Sequence, residues 1–216
     1  QMGHLFYERK NPIFPQRQSS HFDDDVRRIA ELVPGEAYRF GNLSDHHVCI
    51  FHKASTSEIR PEDTTLEILM HDIDSQAKEI FFSGGDRNLD TILEKTRIAE
   101  IFPGFEIDQF LFDPCGYSMN ALKGNTYYTI HVTPEDDGSY VSFETNFPFK
   151  GSIEPTIERV IDIFKPKTYD VVCFQIEEVP NPIEGYTSKS KVRKRLSNGY
   201  DVSFYNFFES SDELTE

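Results

Sequence analysis

The chain has few cysteines, and they are scattered. Cys49, Cys115 and Cys173 are the only three among 216 residues. So small a number excludes a disulfide framework, and the spacing contains no Cys-x-x-Cys pair of the kind that binds structural zinc. We therefore expect no metal site, and we expect a reducing compartment, which we take to be the cytoplasm.

Long apolar segments and basic residues are also scarce. No run reaches the roughly 20 apolar residues of a membrane-spanning helix, and residues 1–10 do not look like a signal peptide. The 22 Lys and Arg residues stand against 37 Asp and Glu, for a formal net charge of −15. Such a charge repels nucleic acid and anionic membranes, so we expect neither as a partner. It suits a cationic ligand, although acidity also serves solubility.

Tryptophan is missing, whereas 19 Phe and 10 Tyr are present. Aromatic side chains are favoured in strands, and a hydrophobic content of 38% is enough for one sizeable core. We predict a single α+β domain over 1–208, in which helices cover antiparallel sheet. The acidic residues 209–216 are predicted to form a disordered tail.

Hydrophobic periodicity gives the positions of the elements. It predicts helices over 23–32, 89–101 and 155–164. Alternating patterns predict strands at 2–8, 38–40, 47–52, 64–72, 127–133, 139–145, 169–177 and 200–208. The basic segment 189–195 is predicted to be a mobile loop between the last two strands.

Residues 112–146 hold the densest group of chemically useful side chains. Two strand-like runs flank an Asp-Asp-Gly turn at 136–138, which predicts an antiparallel hairpin. Along the first run, His131 points to one face, whereas Ile130 and Val132 point to the other. The polar face can line a cavity while the aliphatic face packs a core. Taken one at a time, such polar residues are more often simply solvated.

The whole string is more specific than its parts. FDPCGYSMNALKG at 112–124, YYTIHVTPE at 127–135 and SYVSFETN at 139–146 resemble the eukaryotic-type S-adenosylmethionine decarboxylases. Further matches follow the family's order, namely LFYERKN at 5–11, TLEILMHDID at 65–74 and IFKP at 163–166. The resemblance implies a lyase that makes decarboxylated S-adenosylmethionine for spermidine and spermine synthesis. It also implies a four-layer αββα sandwich of antiparallel sheets, part of it supplied by missing N-terminal segments.

Two motifs of that family are absent. Its members cleave themselves at Glu-Ser-Ser, which turns a serine into a pyruvoyl group, and they carry a catalytic cysteine in Thr-Cys-Gly-Thr. We interpret the Glu-Ser-Ser at 209–211 as coincidence, because it lies in the acidic tail. The resemblance therefore implies the later part of an alpha chain, with a pyruvoyl cofactor from a serine outside this chain. A short beta chain from self-cleavage and a second copy, in a homodimer, are the implied protein partners.

The resemblance assigns roles within 112–146. Ser118 and His131 match the serine and the histidine that act in self-cleavage, the serine through an ester intermediate and the histidine as the base that drives β-elimination. Imidazole suits a base that works near neutral pH. Phe112 matches the aromatic residue that stacks on the adenine of S-adenosylmethionine, and Glu135 matches the carboxylate that binds the ribose hydroxyls. Cys115 receives no role.

A second set matches the putrescine site of the diamine-activated members. Its residues are Asp63, Thr65, Glu67 and Glu144, with Phe6, Phe174 and Tyr200 as neighbours. Thr65 and Glu67 share one face of a strand, so the carboxylate points where a charge is costly unless it is paired. Glu8 stands where a small polar residue is expected, which is a departure within this site.

Two other functions fit parts of these observations. A non-catalytic paralogue that binds and activates a true decarboxylase could keep the fold without the pyruvoyl precursor. An unrelated acidic, β-rich binding domain would share composition but not the motif string. We favour the decarboxylase, because Ser118, His131, Phe112 and Glu135 are all in place.

Overall fold

The computed structural model describes residues 3–55, 57–60, 62–82 and 88–210. The strands are β1 Phe6–Lys10, β2 Gly35–Gly41, β3 His47–Lys53, β4 Thr65–His71, β5 Glu106–Leu111, β6 Tyr117–Lys123, β7 Thr126–Thr133, β8 Tyr140–Thr145, β9 Thr168–Phe174, β10 Tyr186–Arg195 and β11 Asp201–Glu209. The α-helices are α1 Phe22–Ala30, α2 Ser75–Ile80, α3 Leu89–Thr96 and α4 Glu154–Phe164. Within these ranges, no helix has the length and hydropathy to cross a bilayer.

The strands form two antiparallel sheets. The large sheet has the order β10-β11-β9-β4-β8-β7-β6-β5, and the small sheet has the order β1-β3-β2. Helices α2, α3 and α4 cover one face of the large sheet, where residues such as Ile92, Ile157 and Phe164 join its buried core. The small sheet covers the other face, and Phe40 and Ile50 pack there against the large sheet.

Helix α1 lies on the outer face of the small sheet. The rings of Tyr7 and Phe22 stack at 5.9 Å, and the Tyr7 hydroxyl donates a hydrogen bond of 2.7 Å to Asp25. The layers are therefore helix, sheet, sheet, helix, which confirms the αββα sandwich of antiparallel sheets.

The register of the large sheet aligns side chains in cross-strand rows. The first row consists of Ser118, His131, Ser142, Leu69, Asp170 and Asn206, on β6, β7, β8, β4, β9 and β11. The second row, two residues along, contains Thr129, Glu144, Glu67, Val172 and Phe204. Residues opposed on neighbouring strands share a face of the sheet. Both rows therefore lie on the face that carries the small sheet, which buries Leu69, Val172 and Phe204.

The predicted elements differ from the observed ones mainly at their ends. The strand predicted at 2–8 begins at Phe6, and its start at Met2 lies outside the described residues. The helix predicted over 89–101 ends at Thr96, because Arg97 takes a left-handed conformation with φ of 54°. Of the predicted tail, Glu209 lies in β11 and 211–216 fall outside the described residues.

One prediction of an element is wrong. The basic segment 189–195 is not a loop but part of β10, which pairs with β11 along its length. Its lysines and arginines lie on an edge strand with mostly exposed side chains, and charged residues are common there because they discourage pairing with another chain. Helix α2 and strands β5 and β6 were not predicted.

Candidate functional site

Ser118 and His131 lie opposite each other on the neighbouring strands β6 and β7. The Ser118 hydroxyl oxygen is 2.9 Å from His131 Nδ1, which is hydrogen-bond distance. The His131 side chain is exposed, and Val132 beside it is buried on the opposite face. The alternation predicted for this strand is therefore present, and it presents the pair on an accessible face of the sheet.

Phe112 and Glu135 lie near the same end of the β6–β7 pair, because Tyr117 at the start of β6 is opposite Val132 near the end of β7. Phe112 follows β5, is 46% exposed, and meets the ring of Phe110 edge to face at 4.7 Å. Glu135 follows β7, is exposed, and lines a cavity of about 490 Å³. Phe112 does not line that cavity, so the structure does not bring these two residues into one described pocket.

A larger cavity of about 610 Å³ lies between the two sheets. It is lined by all seven residues of the predicted diamine set, namely Phe6, Asp63, Thr65, Glu67, Glu144, Phe174 and Tyr200. Phe6 packs edge to face against Phe174 at 5.1 Å and against Tyr200 at 4.8 Å. The cavity thus has an aromatic wall and several carboxyl groups.

The carboxyl groups of this cavity are crowded. Glu67 and Glu144 are directly opposed on β4 and β8, and such like-charged pairs repel each other. The oxygens of Glu8 are buried, and its carboxyl group lies beside that of Glu67. Burial raises the pKa of Glu8 to about 7, with nearby Glu144 adding to the rise. Burial, with Glu8 and Glu144 close by, also raises the pKa of Glu67 well above its usual value.

No basic side chain of the described residues neutralises these carboxylates by a salt bridge. Lys10 lines the cavity, but its Nζ lies 3.0 Å from Asp170 Oδ2 instead. The Tyr127 hydroxyl donates a hydrogen bond to Glu144 Oε1. Sequence reasoning did not single out Tyr127, although it shares a strand face with His131 through the same alternation. The cavity is therefore acidic, and a mobile cation could enter it.

Comparisons with known proteins agree with this architecture. A family model described as adenosylmethionine decarboxylase matches residues 1–208. The chain is 33% identical to the S-adenosylmethionine decarboxylase proenzyme of Dictyostelium discoideum, over 94% of this chain and 57% of that protein. It is 38% identical to the proenzyme of Drosophila melanogaster, over 79% of this chain and 54% of that protein. The chain thus spans about half the length of these curated relatives.

A solved structure shares the fold. The Trypanosoma brucei AdoMetDC-delta26 monomer aligns with a TM-score of 0.72 at 22% identity, over 98% of this chain and 86% of that one. The architecture is thus a layered antiparallel sandwich of a known kind. Together with the match over 1–208, it shows that the chain belongs to the adenosylmethionine decarboxylase family.

Proposed function

We propose that the protein to which this chain belongs decarboxylates S-adenosylmethionine and so supplies the aminopropyl donor for spermidine and spermine synthesis. The observation that carries this proposal is the contact of 2.9 Å between Ser118 and His131 in a chain of this family. The curated relatives are named proenzymes, which supports maturation by self-cleavage. No observation favours the non-catalytic paralogue.

The residues of this chain fit a self-processing role. The imidazole of His131 is within reach of the Ser118 hydroxyl and is exposed, so it can approach a backbone segment laid over β6 and β7. A base in that position can remove the proton that β-elimination requires. A pyruvoyl group, formed from a serine outside this chain, would supply the electron sink for decarboxylation. Phe112 would stack on adenine, and Glu135 would bind the ribose hydroxyls.

The test of this role is His131→Ala in the full-length protein. We expect self-cleavage to stop at the ester stage, because no base remains to remove the proton. Intact mass under denaturing conditions should show one uncleaved chain, and hydroxylamine should split it in two because it cleaves esters. His47→Ala, which changes a partly exposed histidine on β3, is the matched control and should mature normally. Normal maturation of His131→Ala would refute the assignment.

We further propose that the acidic cavity binds putrescine as an activator. Putrescine carries two positive charges joined by four methylene groups. Its ammonium groups would relieve the repulsion between Glu67 and Glu144. Its apolar stem would lie along the aromatic wall of Phe6, Phe174 and Tyr200. Glu8, with its buried oxygens, adds a carboxyl group where the resemblance leads us to expect a smaller residue.

Glu67→Gln tests the diamine site. We expect it to abolish stimulation of maturation and decarboxylation by putrescine while leaving substrate binding intact, because the change removes only the carboxyl group opposite Glu144, which an ammonium group of putrescine would hold in its ionised form. The measurement is initial rate against putrescine concentration, with Glu106→Gln, an exposed change on β5, as the matched control. Unchanged stimulation in Glu67→Gln would contradict the diamine site without touching the decarboxylase proposal.

A further inference from the structure

Three potential metal ligands meet beside the acidic cavity, at the junction of the two sheets. They are His46, just before β3, His71, at the end of β4, and Asp170 on β9. One ligand atom from each lies within 4.8 Å of the others. Two histidines and a carboxylate form a donor set that divalent transition metals favour. Among the described residues, this is the group of three or more His, Cys, Asp or Glu residues whose ligand atoms lie close enough together to bind one metal ion.

Buried ring nitrogens of both histidines lack hydrogen-bond partners in the structure. His71 is only 6% exposed, and neither of its ring nitrogens has a hydrogen-bond partner in the structure. His46 Nδ1 is likewise buried without a hydrogen bond, although it lies 3.5 Å from Asp170 Oδ2. Buried polar atoms that lack partners cost free energy. A shared ligand would satisfy all of these atoms at once.

The geometry is close to that of a bound ion. Donors about 2.0–2.2 Å from a tetrahedral zinc lie about 3.4 Å apart, and His46 Nδ1 and Asp170 Oδ2 already stand at 3.5 Å. The two imidazole rings are 5.2 Å apart between centroids with an interplanar angle of 73°, and all three ligand atoms lie within 4.8 Å of one another, so an ion would draw the set closer together. Asn206 Nδ2 donates a hydrogen bond of 2.7 Å to Asp170 Oδ1, which orients the carboxylate as outer-shell partners commonly do.

Lys10 competes with a metal ion for the carboxylate of Asp170. Its ammonium group lies 3.0 Å from Asp170 Oδ2, and this ion pair by itself accounts for the buried aspartate. It does not account for the two histidines. Lys10 Nζ also donates to the side-chain oxygen of Asn11 and to the carbonyl oxygen of His47. The ammonium group therefore keeps two acceptors when an ion takes Asp170 Oδ2.

We infer that His46, His71 and Asp170 bind a divalent transition-metal ion, with zinc as the natural probe, and that this ion links the small sheet to the large one. The inference goes beyond the proposed function, because these residues are outside the diamine cavity's lining, although His71 also lines the cavity that contains Glu135. The ion would act as a structural clamp, since His46 enters the small sheet and the other two ligands belong to the large sheet.

The experiment is a metal titration of the chelator-treated chain. Calorimetry with zinc should show one saturable site, and cobalt(II) should give the visible absorption of a tetrahedral ion with nitrogen and oxygen ligands. Thermal unfolding should shift to higher temperature with zinc, because the ion binds the folded state. Absence of a saturable site would overturn the inference.

Two variants locate the ion. His71→Leu and His46→Gln should each weaken zinc binding by on the order of tenfold or more, since even outer-shell changes cost about that much. If His71→Leu fails to fold, His46→Gln decides alone, because its side chain is 25% exposed and lies outside the strands. His47→Gln is the matched control and should bind zinc normally. Loss of binding in His47→Gln with retention in the other two would show adventitious binding only, and would refute the site.

Discussion

At the scale of the residue, Glu8 and Glu67 make the stability of the protein depend on pH. Both carboxyl groups have pKa values raised by burial, that of Glu8 to about 7 from the usual 4.5. Between pH 4.5 and about 7, the folded state therefore holds a proton on Glu8 that the unfolded state has released. The stability that protonated Glu8 contributes is fully present below about pH 4.5 and is lost as pH rises through about 7, and Glu67 acts in the same direction.

We expect Glu8→Gln to reduce this loss. The wild-type chain should lose about 1–3 kcal/mol of unfolding free energy between pH 5 and pH 8 through these groups, since each pKa unit corresponds to about 1.4 kcal/mol. The variant cannot ionise at that position and should lose less. Urea unfolding at the two pH values measures the difference, with the exposed Glu106→Gln as control. Parallel pH profiles in wild type and Glu8→Gln would show that the raised pKa is not a property of this residue.

The sequence predicts which face of the sheet a side chain occupies wherever polar and apolar residues alternate along a strand. The faces of His131, Thr65 and Glu67 follow from a period of two. Asp170 could have been noticed as a charge within an apolar strand, Tyr169 to Phe174. Its partners His46 and His71 could not have been, because they come from distant segments that only the pairing of β4 with β9 and the loop before β3 bring together.

At the scale of the element, the end of α4 stores backbone strain. Lys165 follows the helix with φ of 44°, a left-handed conformation that glycine adopts without steric cost. The side chain is exposed. We expect Lys165→Gly to stabilise the protein by about 0.5–1 kcal/mol, as the relieved strain exceeds the added flexibility of the unfolded chain. Chemical denaturation measures the change.

Lys167→Gly is the matched control for that change. Lys167 is also an exposed lysine, two residues later, but it does not have a positive φ. The substitution there should destabilise the protein by about 0.5–1 kcal/mol through the unfolded state alone. The two variants should therefore shift stability in opposite directions, and destabilisation by both would contradict the strain at Lys165.

Elements were predictable where their periodicity was long and strong. The eleven residues of α4 have a buried stripe of Ile157, Val160, Ile161 and Phe164, which the helical period reveals. Helix α2 has only six residues, and it begins because Asp74 accepts hydrogen bonds from the backbone of Gln76 and Ala77. Residues 189–195 of β10 are predicted as a loop because their pattern is almost entirely polar. Residues 189–195 form a strand because they pair with β11, and their own sequence carries no strand pattern.

At the scale of the whole molecule, the two proposed cation sites lie between the sheets. Glu8 comes from the small sheet and Glu67 and Glu144 from the large one. The cluster of His46, His71 and Asp170 also joins elements of both. Binding a cation at either place would therefore hold the two sheets together. The net negative charge of the chain would attract a cation to both places.

The layer order could be anticipated from the sequence only through the family resemblance. Composition and periodicity indicate α+β structure, but which strands are neighbours depends on contacts between distant residues. The order β9-β4-β8 places strands beside each other that are far apart in the chain. Such non-local pairing leaves no local signal.

The cross-strand rows also limit how this protein can vary. Side chains alternate between the two faces of a strand. One residue inserted within β4 would therefore move every later side chain of that strand to the opposite face, unless a bulge absorbed the change. An insertion just ahead of Glu67 would move Glu67, Leu69 and His71 to the face covered by the helices, and it would bring the buried Ile68 and Met70 to the face of the cavity. We therefore expect length changes among homologous chains to fall in the connecting loops, because in β4 a single insertion would remove both proposed cation sites.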